Sequence, residues 1–296
     1  MYQSCTLCPR NCQVNRAAGQ TGFCGMPDTV QVARASLHMW EEPCISGTNG
    51  SGTVFFTGCN LKCVFCQNHV IAVGAKGREV TTDRLAELFL MLQDKGAHNI
   101  NLVTPSHYVP GIVKALTASR MQGLRIPIVY NTSGYDSVDT LAMLEGLVDI
   151  YLPDFKYVSS SLSARYSHAA NYFDVACKSL AEMWRQVGKP VFDGDMLTKG
   201  IIVRHLLLPG CVEDSKAVIR YLYETYGDRI FISIMNQYTP LPHVASYPEL
   251  GRKVTDAEYD EVVDYAIELG VEQGFIQEGD TAEESFIPEF DFRGIL

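Results

Sequence analysis

"GCNLKCVFCQN", residues 58–68, places Cys59, Cys63 and Cys66 in a C-x3-C-x2-C array directly after the short run "TVFFT", residues 53–57. Thiolates are soft ligands that select zinc, copper(I) or iron–sulfur clusters. A structural zinc takes four closed protein ligands, and a ferredoxin-type cubane also takes four cysteines. Three cysteines with no fourth nearby would leave one iron of a [4Fe–4S] cluster without a protein ligand, and a vacant metal corner can hold a substrate or cofactor. The competing reading is a four-cysteine metal knuckle that borrows a distant residue such as Cys44.

Outward from this array the chain alternates strands and helices. Candidate strands are "TVFFT" (53–57), "NINLVT" (99–104), "IPIVYNT" (126–132), "DIYLPDF" (149–155), "GIIVRHLLL" (200–208) and "RIFISIMNQ" (229–237). They are short, β-branched and aromatic, as buried parallel strands are. Between them, Leu85, Leu88, Phe89 and Leu92 recur at helical spacing, as do Ala176, Leu180, Met183, Trp184 and Val187. Thr255 followed by Glu258 reads as a capping box. The repeated β-α order predicts a parallel sheet. Strongly curved, it forms a partial (β/α)6 barrel with its site at the C-terminal strand ends; a flat doubly wound sheet satisfies the same periodicity. The array follows the first of these strands, which puts it at that end. Residues 1–50 read as an irregular, cysteine-rich segment with one extended run, "TVQVARASLHMW", and residues 51–296 as the barrel.

The chain has 296 residues, 47% of them hydrophobic, with 24 basic against 34 acidic side chains and a net charge of −10. That balance argues against nucleic acid, whose phosphates need neutralising, and against a polybasic membrane anchor. Glu258, Asp260, Glu261, Glu283 and Glu284 read as a solvated helix face and tail. The start, "MYQSCTLCPRNC", lacks the apolar core of a secretory signal. A reducing, cytoplasmic setting is therefore expected, where clustered cysteines bind metal or do chemistry more often than they form disulfides. A second set, Cys5, Cys8, Cys12 and Cys24, has four thiols and glycines for tight turns at Gly19, Gly22 and Gly25. It can close around a zinc ion or an auxiliary iron–sulfur cluster, and spacing does not separate the two.

The C-x3-C-x2-C array with Phe65 just before its last cysteine resembles the radical S-adenosylmethionine (SAM) superfamily. Further stretches, "CTLCPRNCQVNRAAGQTGFCG", "NINLVTPSHYVP", "VYNTSGYD", "VDIYLPDFKY", "VRHLLLPG" and "ISIMNQYTP", resemble an uncharacterised branch related to pyruvate formate-lyase activating enzyme. The resemblance implies that SAM chelates the open iron. The reduced cluster donates an electron, the sulfonium bond breaks, and a 5′-deoxyadenosyl radical abstracts a hydrogen atom. It implies an activating-enzyme-like oxidoreductase working on a glycyl-radical-type protein, with flavodoxin or ferredoxin as reductant. Phe65 is expected near the adenine. Asn131, Thr132 and Ser133 are expected near the ribose, and Asp154 and Lys156 resemble the Asp-x-Lys of activating enzymes. Where those enzymes often carry a Gly-Gly-Glu turn, this chain reads Thr104-Pro105-Ser106-His107, so Ser106 or backbone carbonyls are the candidates for the SAM amino group. Arg204, if it points inward, needs an anion such as the SAM carboxylate; Asn236 and Gln237 end the sixth strand, placed to face cofactor or substrate, with Gln237 the expected cofactor contact. Radical modification of a peptide or small metabolite is the alternative within this chemistry. An iron–sulfur electron carrier or binding module is the alternative outside it.

Metal analysis of a triple Cys59/Cys63/Cys66→Ala variant discriminates the two cysteine sets. Residual iron assigns a second cluster to Cys5, Cys8, Cys12 and Cys24, and zinc alone assigns a knuckle.

Overall fold

The computed structural model describes residues 1–277 and 288–295; Glu283 and Glu284 lie outside the described residues. The strands are β1 (Val30–His38), β2 (Ser51–Phe56), β3 (Arg78–Val80), β4 (Ile100–Val103), β5 (Ile128–Thr132), β6 (Ile150–Pro153), β7 (Val191–Asp193), β8 (Met196–Leu206), β9 (Phe231–Met235) and β10 (Gly274–Ile276). The helices are α1 (Pro43–Ser46), α2 (His69–Ala72), α3 (Thr82–Asp94), α4 (Val109–Met121), α5 (Val138–Ala142), α6 (Ser160–Ser167), α7 (Tyr172–Val187), α8 (Val212–Tyr226) and α9 (Asp256–Leu269). All six strands expected from the sequence are present, and the capping box of Thr255 and Glu258 opens α9.

The strand order is β10-β9-β8-β6-β5-β4-β2-β1-β3, with β7 paired to β8 as a hairpin. Neighbours from β2 through to β10 run parallel; β1 is antiparallel to both β2 and β3. The path does not close, yet it curls. His38, at the end of β1, and Gln277, just past β10, line one cavity although they stand near opposite ends of the strand order. This is a partial (β/α) barrel rather than a flat sheet.

Alternation along each strand sorts the side chains. Phe56, Leu102, Tyr130, Tyr151, Val203 and Ile232 join the core formed with the helices, which includes Leu88, Phe89, Ile112, Leu180, Leu222 and Val262. Val129, Ile150, Leu152 and Ile202 face inward, where Cys44 and Ile45 of α1 plug the barrel. Cys44 is therefore an interior plug and not a fourth ligand at the cysteine loop. The inward positions nearer the C-terminal strand ends are polar: Asn131, Asp154, Arg204 and Gln237 line the cavity there. Among the described residues, no helix is long and apolar enough to cross a membrane.

The N-terminal segment is pinned to the barrel by Arg16, which is 1% exposed. Its guanidinium donates to Met26 O (3.0 Å), to Pro27 O and to His107 O (2.7 Å), and it lies 4.8 Å from the Tyr2 ring. Removing it strands buried carbonyls, at a cost of roughly 1.5–3 kcal/mol for each charge-assisted bond lost. Arg16→Ala is expected to lower the denaturant midpoint and to make residues before β1 the first site of limited proteolysis. Equal protease resistance in the variant and the parent protein would contradict this anchoring role.

Candidate functional site

β2 ends at Phe56, and the chain turns through Gly58 (φ +88°) into the cysteine loop. A side chain at Gly58 would collide with Met26, so only glycine lets the loop pass under the N-terminal segment. Cys59 Sγ accepts from the Leu61 and Lys62 amides at 3.3 and 3.4 Å, and Cys63 Sγ accepts from Ser167 Oγ at 3.0 Å. Burial pushes the Cys63 thiol up to about 11, with Lys156 pulling the other way, and burial also raises Cys66. The Cys63 and Cys66 thiols are thus held protonated, and metal ligation must release those protons. Among the described residues, no three Cys, His, Asp or Glu side chains form a group that could hold a single metal ion. A cubane does not need such convergence, because each thiolate binds a different iron. Amide and hydroxyl donors already aimed at sulfur suit thiolate charge, so the three residues fit a cluster better than a lone ion.

Cys59, Cys63 and Cys66 line a cavity of about 160 Å³ at the C-terminal ends of β2, β4, β5, β6, β8 and β9. Phe65, Asn131, Thr132, Ser133, Asp154, Lys156, Arg204 and Gln237 line it with them. Eight of the nine expected cofactor contacts therefore share one wall with the cysteines. Ser106 does not line the cavity: it is buried behind it, with its Oγ 3.5 Å from Thr132 Oγ1. Thr104 lines it instead, with φ +60°, a strained conformation for a β-branched residue. Asn236 is held through its amide by Gln277 Oε1 at 2.8 Å.

The charges in the wall form one chain. Lys156 Nζ donates to Asp154 Oδ2 at 2.6 Å, and Arg204 Nε approaches Asp154 Oδ1 at 3.3 Å. Arg204 Nη1 reaches Glu41 Oε2 at 3.0 Å, and Nη2 donates to Asn131 Oδ1 at 2.6 Å. Glu41 Oε1 accepts from Asn101 at 3.0 Å. Arg204 points inward, as a half-buried cation with anions to meet it. Burial pushes Asp154 up, but Lys156 and Arg204 outweigh it and hold the carboxyl below the usual range. Asp154 stays ionised, and the contribution of its pair to stability fades only as pH falls through that lowered value. Tyr172 OH fixes the backbone here, donating toward Ser133 O (2.8 Å) and Asp154 O (3.0 Å) and accepting from Lys156 N (3.0 Å). Glycine is required at Gly134 (φ +76°), where any side chain would collide with Asp154 O.

The N-terminal cysteine segment folds back on itself through local backbone bonds, although among the described residues its thiols form no group that could hold a single metal ion. Cys5 N donates to Val14 O at 3.0 Å, Gln13 N to Cys5 O at 2.9 Å, and Phe23 N to Cys12 Sγ at 3.4 Å. Burial raises the Cys8 thiol to about 12, and Cys24, Cys12 and Cys5 lie close enough to add to that rise. Arg16 Nη1 sits 3.8 Å from Cys5 Sγ, and among the described residues it has no carboxylate partner.

A model of the Radical SAM superfamily matches residues 53–207, from β2 to just past β8. The chain belongs to the radical SAM superfamily. An uncharacterised protein of Methanocaldococcus jannaschii is 28% identical over 276 residues, covering 90% of this chain and 75% of that protein. Two solved folds are similar at a TM-score of 0.51. SuiB of Streptococcus suis bound to S-adenosylmethionine has 16% identity over 75% of this chain and 48% of its own. HydG, a maturase of the [FeFe]-hydrogenase, has 14% identity over 77% of this chain and 52% of its own. This chain thus spans about half the length of those solved structures.

Sequence reasoning missed Glu41, Tyr172 and Ser167. Glu41 sits in an irregular connector, and the other two lie on helices whose relation to the loop is tertiary. The Asp154–Lys156 pair is open to direct test: with SAM bound in this cavity, Asp154→Ala and Lys156→Ala are expected to weaken its binding roughly tenfold or more, about 1.4 kcal/mol, with the absorption spectrum of a reconstituted cluster unchanged. Parent affinity in both variants would remove the pair from the site.

Proposed function

We propose that this chain holds a [4Fe–4S] cluster on Cys59, Cys63 and Cys66, binds SAM in the adjoining cavity and cleaves it reductively. The observation that carries the reading is the shared wall: three thiols and eight of the expected cofactor contacts around one space at the strand ends. When bound, the reduced cluster supplies the electron that breaks the sulfonium bond. The chain's own groups do the rest. Phe65 offers an aromatic face, with Tyr157 and Tyr238 edge-on at ring distances of 6.5 Å. Asn131, Thr132 and Ser133 offer hydrogen bonds to hydroxyls, and Asp154 with Lys156 offers a fixed charge pair for an amino-acid headgroup. An iron–sulfur carrier would have no use for this constellation.

We place the substrate among polypeptides, in an activating-enzyme-like role. Two further cavities support room for one. A space of about 260 Å³ runs past Trp40, Phe55 and Gln277, and one of about 250 Å³ runs past Glu42, Ser233 and Phe275. Both share Arg204 and Gln237 with the cysteine cavity, so a chain entering between β1 and β10 would end beside SAM. SuiB has also been solved with its precursor peptide, SuiA.

Anaerobic incubation with dithionite and SAM tests the first part. The protein is expected to form 5′-deoxyadenosine slowly without substrate, and Cys63→Ala to form none. A reconstituted, iron-replete protein that makes none would end the reading.

A further inference from the structure

Ser167 is the last residue of α6, has no exposed surface, and aims its hydroxyl at Cys63 Sγ at 3.0 Å. The Tyr157 hydroxyl stands 2.9 Å from the same serine oxygen. A serine hydroxyl has one proton to give. With that proton on sulfur, the Tyr157 proton must point at Ser167 Oγ, so the order of donation is Tyr157 to Ser167 to Cys63. Tyr157 is 1% exposed and Cys63 is 7% exposed, so water does not compete for these bonds.

The end of α6 is held by a residue from elsewhere. Helix C-termini leave carbonyls without partners, and a cation suits them. Arg10, between Cys8 and Cys12, donates to Ser167 O at 3.1 Å and also to His168 O. Its Nε donates to Asn60 O, the residue after Cys59, at 2.8 Å. Its guanidinium lies 3.8 Å over the Phe23 ring, next to Cys24. One side chain of the N-terminal cysteine segment therefore fixes both the sulfur donor and the loop carrying the ligands.

We propose that Ser167, clamped by Arg10 and polarised by Tyr157, is a positioning residue that raises the reduction potential of the cluster held by Cys63. This rests on the [4Fe–4S] reading above. Reduction adds one electron to a centre already rich in thiolate charge. A hydrogen bond to ligand sulfur stabilises the reduced form more than the oxidised form, and more so in a buried, low-dielectric site. The N-terminal segment thereby sets how readily the site takes up its electron.

The test is a dithionite-poised redox titration of the reconstituted full chain, followed by electron paramagnetic resonance; the signal absent from Cys59→Ala identifies the site cluster. Ser167→Ala is expected to lower the midpoint potential with iron content unchanged, and Ser167→Thr, which keeps a hydroxyl, to restore it. Tyr157→Phe and Arg10→Ala are expected to shift it the same way by less. A parent midpoint in Ser167→Ala overturns the proposal, and one in Arg10→Ala overturns the clamp. Should Ser167→Ala lose its cluster, Tyr157→Phe decides: an unchanged midpoint overturns the proposal. A parent protein without Cys59-dependent iron overturns the cluster reading itself, and the proposal with it.

Discussion

A guanidinium inside a barrel cannot be left alone, and the architecture of this site follows from satisfying Arg204. Desolvating a charge costs several kcal/mol unless partners with good geometry replace water. Arg204, on the inner face of β8, finds Asp154 after β6, Asn131 on β5 and Glu41 from the connector after β1. Glu41 in turn holds Asn101 on β4. The network thus spans four parallel strands and the N-terminal part of the chain, and it fixes their inner faces relative to one another. Arg204 lines all three cavities, Asn131 and Glu41 each line two, and Asp154 lines the one beside the cysteines. What keeps the curled sheet in register is therefore also what presents Asp154, Lys156 and Asn131 to the space beside the cysteines.

The fold was legible because buried parallel strands announce themselves as short apolar runs, and all six such runs became strands. Their interruptions were legible too. A polar residue within an apolar strand either faces solvent or serves a site, and period-two alternation decides between the two. Asn131 and Arg204 fall on the same face as the inward-pointing Val129 and Ile202, opposite the helix-packed Tyr130 and Val203. Curvature was the part that periodicity left open. It goes with the plug of α1 and the Arg204–Glu41 pair, which are 163 residues apart, and neither has a local signature.

The site was half legible for a related reason. Residues on strand ends follow from the strand order, so Thr132, Ser133, Asp154 and Gln237 could be placed before any coordinates. Ser106 could not be: the turn after β4 bends at Thr104, which brings Thr104 to the cavity and sends Ser106 behind it. Glu41, Tyr172, Ser167 and Arg10 act at sequence separations of 163, 18, 104 and 157 residues from their partners Arg204, Asp154, Cys63 and Ser167. No spacing rule reaches that far.

The first fifty residues are bound into the same logic. β1 pairs along its length with β2, the strand that delivers the cysteine loop, so the segment and the barrel share a sheet. Gly58 is tight against Met26, and Arg16 ties that stretch to His107 behind the loop. Glu41 carries the segment into the Arg204 network from the inside, and Arg10 carries it to α6 from the outside. Under the proposed cluster reading, a loop with an open metal corner would have to be rigid, because a ligand set that can shift would close on itself or lose its iron. Here polar contacts brace both sides of the loop, Arg16 to His107 and Arg10 to Asn60 and Ser167, and they originate in the segment that holds the second set of cysteines.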